Sequence, residues 1–256
     1  MKAMILAAGE GRRLLPLTRT VPKPMLEVGG APFIAYLVDL LRSHDVVNIA
    51  VNLHHRPEVI RAYLGDGSRF GVSITYSQEE RLLGSAGAVK RLEQFFDESF
   101  IVLYGDVLTD VDLSALASFH REKRAGVTMA IYQAEDPTRS GIVEIDEDGR
   151  AKRFLEKPKR RDVFSPWANA GVYVAEPDIL RFIPGYSFFD FGADLIPILL
   201  QEGTPVYGYT SPSYFLDIGS LDRYQQAERD FAAGLVGLGQ STPSVGYKNE
   251  KVASRR

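Results

Sequence analysis

The chain has 256 residues, 45% of them hydrophobic, enough to bury a full core as one unit or one unit with a small lobe. Its net charge of -3, with charges interspersed rather than gathered into a basic stripe, argues against a nucleic acid polymer as partner. With no cysteine there can be no disulfide scaffold, thiolate zinc site or cysteine nucleophile, so any metal must sit on oxygen or imidazole.

The first apolar run, Met4 to Ala8, ends at Gly9-Glu10. It is too short for a signal-peptide core, and no stretch approaches the ~20 apolar residues of a membrane span, so a cytoplasmic location is expected. The run reads as a buried strand. Ala31 to Ser43 carries Ile34, Leu37, Val38 and Leu41 at helical spacing, and Val46 to Asn52 reads as the next strand, giving an opening βαβ unit. A helix is predicted over 56–64 and a strand over 72–76. Leu83-Gly84-Ser85-Ala86-Gly87 opens a helix through Phe95, and Phe100 to Tyr104 is a buried strand followed by Gly105-Asp106.

After a helix from Leu113 to Lys123 the pattern turns strand-rich, with strands over 127–133, 142–145, 151–155 and 167–174. Helices follow at 177–182 and 194–201, a strand at 204–209, a turn at Phe215 to Gly219, and a helix from Ser220 to Ala232 that Asp222 helps to start. From Gly234 the sequence lacks periodicity and reads as a flexible tail, 234–256. Alternating strands and helices predict an α/β fold, a doubly wound, mostly parallel mixed sheet with its ligand crevice at the carboxyl ends of the strands. The four histidines are not at metal-ligand spacing and read as surface residues. Asp110 and Asp112 read as loop and cap residues.

The chemistry concentrates after the first strand. Gly9 and Gly11 let the backbone turn tightly enough for its N–H groups to face a phosphate chain. Arg12 and Arg13 stand at the rim, and Pro22 and Pro24 frame Lys23, so three cations surround one loop. The dinucleotide fingerprint is excluded, because Leu14 occupies the position of its third small residue and Pro16 follows. The other phosphate loop is excluded because no Gly-Lys-Ser/Thr triplet occurs.

Leu6-Ala7-Ala8-Gly9-x-Gly11-x-Arg13-Leu14-x-Pro16-Leu17-Thr18 followed by Pro22-Lys23-Pro24 resembles the signature of the sugar-1-phosphate nucleotidyltransferases. Arg12 departs from it, since the family usually has Thr or Ser there. The resemblance covers about 1–232. It implies a catalytic domain over 1–233, with a nucleotide-binding part (1–126) and a sugar-binding part (127–233) on the same sheet. The hexapeptide-repeat β-helix that relatives often carry is not expected here.

From the resemblance, Arg13 is expected to clamp the pyrophosphate, Lys23 to neutralise the α-phosphate, and Asp106 and Asp217 to hold Mg²⁺. Arg13, Lys23 and Asp106 are the expected catalytic residues. Leu6, Ala8, Gly9, Gly11, Arg12, Glu79, Gly84 and Ser85 complete the expected nucleotide site, with Glu79 at the Watson–Crick edge of the base. Gly141, Glu156, Lys157 and Asn169 are expected to meet the sugar phosphate. Asp190 either faces the site or caps a helix. The stretch from Glu79 to Ala88, with Glu156-Lys157-Pro158 and Asn169-Ala170-Gly171, looks most like the mannose-1-phosphate guanylyltransferases, although a carboxylate at position 79 can also accept from uracil or thymine. The implied partners are a nucleoside triphosphate and a sugar 1-phosphate, with no membrane and with a homo-oligomer left open. The alternatives are uridylyl or thymidylyl transfer to glucose, amino-sugar or heptose 1-phosphates, a non-catalytic nucleotide-sugar sensor, and a glycosyltransferase using Asp110-Val111-Asp112.

Overall fold

The computed structural model describes residues 1–236; residues 237–256 of the expected tail lie outside the described residues. In chain order the elements are β1 (Lys2–Leu6), β2 (Glu27–Val28), β3 (Ala31–Pro32), α1 (Phe33–Ser43), β4 (Asn48–Leu53), α2 (Pro57–Leu64), β5 (Ser73–Gln78), α3 (Gly84–Arg91), β6 (Phe100–Tyr104) and β7 (Val107–Thr109). They continue with α4 (Leu113–Lys123), β8 (Val127–Gln133), β9 (Ile142–Ile145), β10 (Ala151–Leu155), β11 (Trp167–Ala175), α5 (Ile196–Gln201), β12 (Val206–Thr210), β13 (Phe215–Asp217) and α6 (Leu221–Ala232).

Nine strands share one mixed sheet in the order β10-β9-β11-β6-β1-β4-β5, with β8 paired to β11 and β12 to β8. β6, β1, β4 and β5 run parallel, while β11 runs antiparallel to β6. The strands after residue 126 therefore extend the sheet of the first half. Side chains alternate between its faces, as a pleated strand requires. Ala3, Ile5, Ile49, Val51, Ile101 and Leu103 pack with α1, α2 and α4 on one side. Met4, Ala50, Phe100 and Val102 pack with α3 and α5 on the other. Ile34, Leu37, Val38 and Leu41 of α1 are at most 1% exposed, and each such buried side chain contributes about 1.5–3 kcal/mol.

Several boundaries differ from the sequence reading. The helix expected from Ala31 begins at Phe33, because Ala31–Pro32 pairs with Glu27–Val28 across Gly29 and Gly30, both at positive φ. The helix expected through Phe95 stops at Arg91, and a 3₁₀ turn covers Glu93–Phe95. Helix 177–182 is 3₁₀, and a π turn, Phe191–Leu195, precedes α5. Of the turn expected at Phe215–Gly219, Phe215–Asp217 is instead strand β13, paired antiparallel with β7. His120 is also not a surface residue: it is 1% exposed, with Nδ1 2.9 Å from Thr128 Oγ1 and Nε2 3.1 Å from Glu176 Oε1.

Candidate active site

The register of the central strands brings Leu6, Asn52 and Tyr104 level at their carboxyl ends, so the loops after β1 and β6 emerge side by side. Gly105 fixes that closeness: its N–H donates to Leu6 O at 2.9 Å, and a Cβ there would stand 2.5 Å from the same oxygen. Asp106 follows at once. β13 then returns Asp217 opposite Val107, and Ile218 N–H donates to Asp106 O at 2.9 Å. Residues far apart in sequence thus place two carboxylates together.

Lys23 meets them. It lies in a 3₁₀ turn between the two prolines, its side chain is 9% exposed, and its ammonium is ion-paired with Asp106 Oδ2 and lies 3.5 Å from Asp217 Oδ1. Arg13 approaches from the other side; a Cβ on Gly219 would stand 2.9 Å from both Arg13 Nη2 and Asp217 Oδ2. Burial, followed by the neighbouring Asp106, pushes the Asp217 carboxyl above the usual range, opposed by Lys23 and Arg13. Two like charges this close are stabilised by a cation, and two hard carboxylates suit a divalent one. The donor set therefore fits Mg²⁺, although no group of three acidic or histidine ligands occurs among the described residues.

Two cavities meet at Tyr104, Asp106 and Asp190. The smaller, about 220 Å³, is lined by Leu6, Ala8, Gly9, Lys23, Asn52, Glu79, Gly84 and Ser85. The larger, about 290 Å³, is lined by Arg13, Gly141, Glu156, Lys157, Asn169 and Asp217. Of the sequence-predicted residues, two line neither. Gly11 shapes the loop from beneath: at φ 64°, its carbonyl accepts from Thr18 Oγ1 at 2.8 Å, and a Cβ would stand 2.8 Å from Thr18 Cγ2. Arg12 projects outward, its side chain 82% exposed and ion-paired with Glu10.

Some expected contacts are already used within the protein. Glu79 is 3% exposed; its Oε1 accepts from Asn52 Nδ2 at 2.7 Å and its Oε2 from Leu83 N–H at 2.9 Å. Asn52 in turn accepts from Ala7 N–H at 2.8 Å, so this wall of the smaller cavity is cross-braced. Gly84 lines the smaller cavity, yet what demands a glycine is the close passage of residues 187–189. At φ 73°, a Cβ on Gly84 would stand 2.6 Å from Phe189 O, and one on Gly87 2.6 Å from Ser187 O. Ser85 N–H and Oγ both donate to Asp190 Oδ1, at 3.0 and 2.8 Å, so Asp190 both faces the cleft and caps α3.

In the larger cavity, Asn169 Nδ2 donates to Tyr173 Oη, and its Oδ1 accepts from Gly171 N–H at 3.0 Å. Gly141 makes room for Glu156, whose Oε2 would lie 2.6 Å from a Cβ there. Lys157 holds a left-handed backbone at φ 44°, with its ammonium 3.5 Å from Glu156 Oε1. Burial raises the Glu156 carboxyl, and Lys157 opposes the shift. Asp110 accepts from Tyr214 N–H and Asp112 caps α4, so neither lines the two cavities.

Sequence reasoning missed Asn52, Tyr104 and Arg139. Asn52 carried a signal, an amide interrupting an apolar strand; Tyr104 and Arg139 carried none beyond their neighbours.

The profile of the family described as nucleotidyl transferase matches residues 2–234. A UTP–glucose-1-phosphate uridylyltransferase of Synechocystis sp. is 40% identical over 243 residues, covering 90% of this chain and 63% of that protein. A mannose-1-phosphate guanylyltransferase of Mycobacterium tuberculosis is 34% identical over 236 residues, covering 91% of this chain and 65% of its own length. The chain thus spans less than two thirds of the length of these relatives. Among solved structures, a putative glucose-1-phosphate thymidylyltransferase from Bacillus anthracis superposes with a TM-score of 0.82 at 25% identity, covering 90% of this chain and 94% of that one. A glycine loop, a framed lysine and two aspartates gathered at the strand ends, within a profile match spanning almost every described residue, lead to one conclusion: the chain belongs to the nucleotidyl transferase family.

Proposed function

We propose that the chain transfers a nucleotidyl group from a nucleoside triphosphate to a sugar 1-phosphate and releases pyrophosphate. The observation that carries this reading is Lys23, held at the junction of the two cavities against Asp106 and Asp217. The smaller cavity takes the nucleotide and the larger the sugar phosphate, so their phosphates meet where Lys23 and Arg13 stand.

The attacking oxygen belongs to a phosphate that is already anionic, so no general base is required. It forms a bond to the α-phosphorus while the bond to the bridging oxygen of the β-phosphate breaks, and pyrophosphate leaves with that electron pair. Lys23 neutralises charge on the α-phosphate, and Arg13 grips the leaving pyrophosphate with its fork of donors. The two cavities meet at Tyr104, Asp106 and Asp190, which brings the attacking oxygen and the α-phosphorus together and supplies orientation. Asp106 and Asp217 would hold Mg²⁺, which when bound draws charge from the phosphate oxygens. Lys157 meets the sugar phosphate, and Glu156 accepts from the sugar hydroxyls.

Our reading of the substrate pair is GTP and mannose 1-phosphate, supported by the Glu79 to Ala88 stretch and by relatives named mannose-1-phosphate guanylyltransferase. Each oxygen of Glu79 keeps a lone pair beyond its present bond, enough to accept the two N–H groups of a guanine edge. A second reading, UTP and glucose 1-phosphate, is favoured by the 40% identical relative with that name. A non-catalytic sensor is not supported, since Arg13 and Lys23 both face the aspartates. Pyrophosphate release measured across GTP, UTP, dTTP and ATP against mannose, glucose, glucosamine and heptose 1-phosphates tests all of this. Release with none of the sixteen pairs overturns the reading; release with UTP and glucose 1-phosphate alone replaces the substrate pair.

A further inference from the structure

Phe188 is 62% exposed, unusual for a large aromatic ring, and it lines the smaller cavity together with Leu6 and Leu82. Its backbone is not a loose loop. Phe189 N–H donates to Leu83 O at 2.9 Å, and Phe189 O accepts from Ala86 N–H and Gly87 N–H, both at 2.9 Å. Ser85 and Asp190 fasten the next residue. The glycines at 84 and 87 allow this segment to lie flush on α3. Upstream, Arg81 Nη2 donates to Tyr186 O at 2.7 Å, and the Arg91 guanidinium lies over the Tyr186 ring. Tyr186 is also exposed but already has that cation as partner, and it does not line the cavity.

A flat apolar face is thus held firmly at the mouth of a cavity whose inner wall carries the polar edge formed by Glu79 and Asn52. A ligand matching both surfaces is planar, with apolar faces and a hydrogen-bonding rim. We propose that Phe188 is a stacking face for the nucleobase, supplied by the sugar-binding half of the chain to the nucleotide half. The inference rests on the nucleotidyl-transfer reading for the identity of the ligand. Base-on-aromatic stacking of this kind corresponds to roughly 5- to 150-fold in affinity.

The test compares wild type with Phe188→Ala, Phe188→Leu and Phe188→Trp, each checked for an unchanged thermal transition. GTP, UTP and inorganic tripolyphosphate are titrated calorimetrically, and KM and kcat are measured by pyrophosphate release. The expected result is a Kd for the preferred nucleotide raised roughly 5- to 150-fold in the Ala and Leu variants, with recovery in the Trp variant. Tripolyphosphate, which has no base, binds all four proteins alike, and KM for the sugar phosphate does not move. Equal weakening of tripolyphosphate and nucleotide, or no weakening of either, overturns the proposal. If wild type binds nucleotide but releases no pyrophosphate, the transfer reading falls while the titrations still decide the role of Phe188.

Discussion

Lys23 and Asp217 face each other at 3.5 Å although one lies in the first proline-framed turn and the other at the end of the last strand. The ammonium lies between two carboxylates that would otherwise repel, and in the proposed reaction it turns to the α-phosphate. Lys23→Met should therefore lower kcat about 10²- to 10³-fold, the usual effect of removing one preorganised charge-stabilising donor. KM for the sugar phosphate should change little. Steady-state pyrophosphate release checks this, and near-normal turnover would remove Lys23 from the chemistry.

The two neighbouring arginines should separate. Arg13 reaches toward Asp217 and Gly219, whereas Arg12 points to solvent beside Glu10. Arg13→Ala should cost roughly 10- to 150-fold in kcat/KM for the triphosphate, as expected for loss of a charge-assisted hydrogen bond. Arg12→Ala should cost less than about fivefold, because an exposed ion pair contributes at most ~1 kcal/mol. The same assay applied to both variants decides.

Metal removal gives a third outcome. Dialysis against a chelator should abolish pyrophosphate release, and added Mg²⁺ should restore it. Asp106→Asn and Asp217→Asn should each need at least about tenfold more Mg²⁺ for half-maximal rate, since each removes one hard anionic ligand. A Mg²⁺ titration of rate for the three proteins tests this; identical curves would assign the aspartates another role.

His120 makes stability depend on pH. Burial lowers its imidazole below the usual value, and the nearby Glu176 only partly opposes this. The folded state therefore binds the proton more weakly than the unfolded state does. The stabilisation this represents is present above pH ~6.5 and is lost as pH falls through the folded pKa. Each tenfold difference in proton affinity between the two states is worth about 1.4 kcal/mol. Urea unfolding of wild type should weaken from pH 7.5 to 5.5, and His120→Gln should show a flatter profile over that range.

Gly84→Ala tests how the cleft walls are joined. At φ 73°, with Phe189 O 2.6 Å from the new Cβ, the substitution should destabilise by about 1–3 kcal/mol in urea unfolding. It should also raise KM for the triphosphate.

Long periodic elements were legible in the sequence: α4, β8, β9 and β10 begin and end where the pattern of apolar residues places them. Short ones were not. β7 and β13 have three residues each, too few to show alternation, and they are strands only because they pair with each other across the site. The buried His120 was legible in principle, since positions 113, 116, 117 and 120 form one helical stripe and all four are buried. The glycine loop, Lys23 and both aspartates were identifiable as residue types in an ordered motif. That Glu79 and Asn169 already have protein partners was not: Asn52 meets Glu79 only because β4 and β5 lie side by side, and the contacts to Leu83, Gly171 and Tyr173, though within four residues in sequence, depend on how the backbone bends there.

The seating of residues 187–189 on α3 reaches beyond the cleft. Amides in the first turn of a helix ordinarily exchange quickly with solvent deuterium, having no acceptor within the helix. Those of Ala86 and Gly87 are satisfied by Phe189 O, so they can open only when a segment from the other half of the chain lifts away. Opening at Ala86 and Gly87 is therefore tied to the lifting of residues 187–189, and slow deuterium uptake at those two amides is the mark by which that tie can be followed.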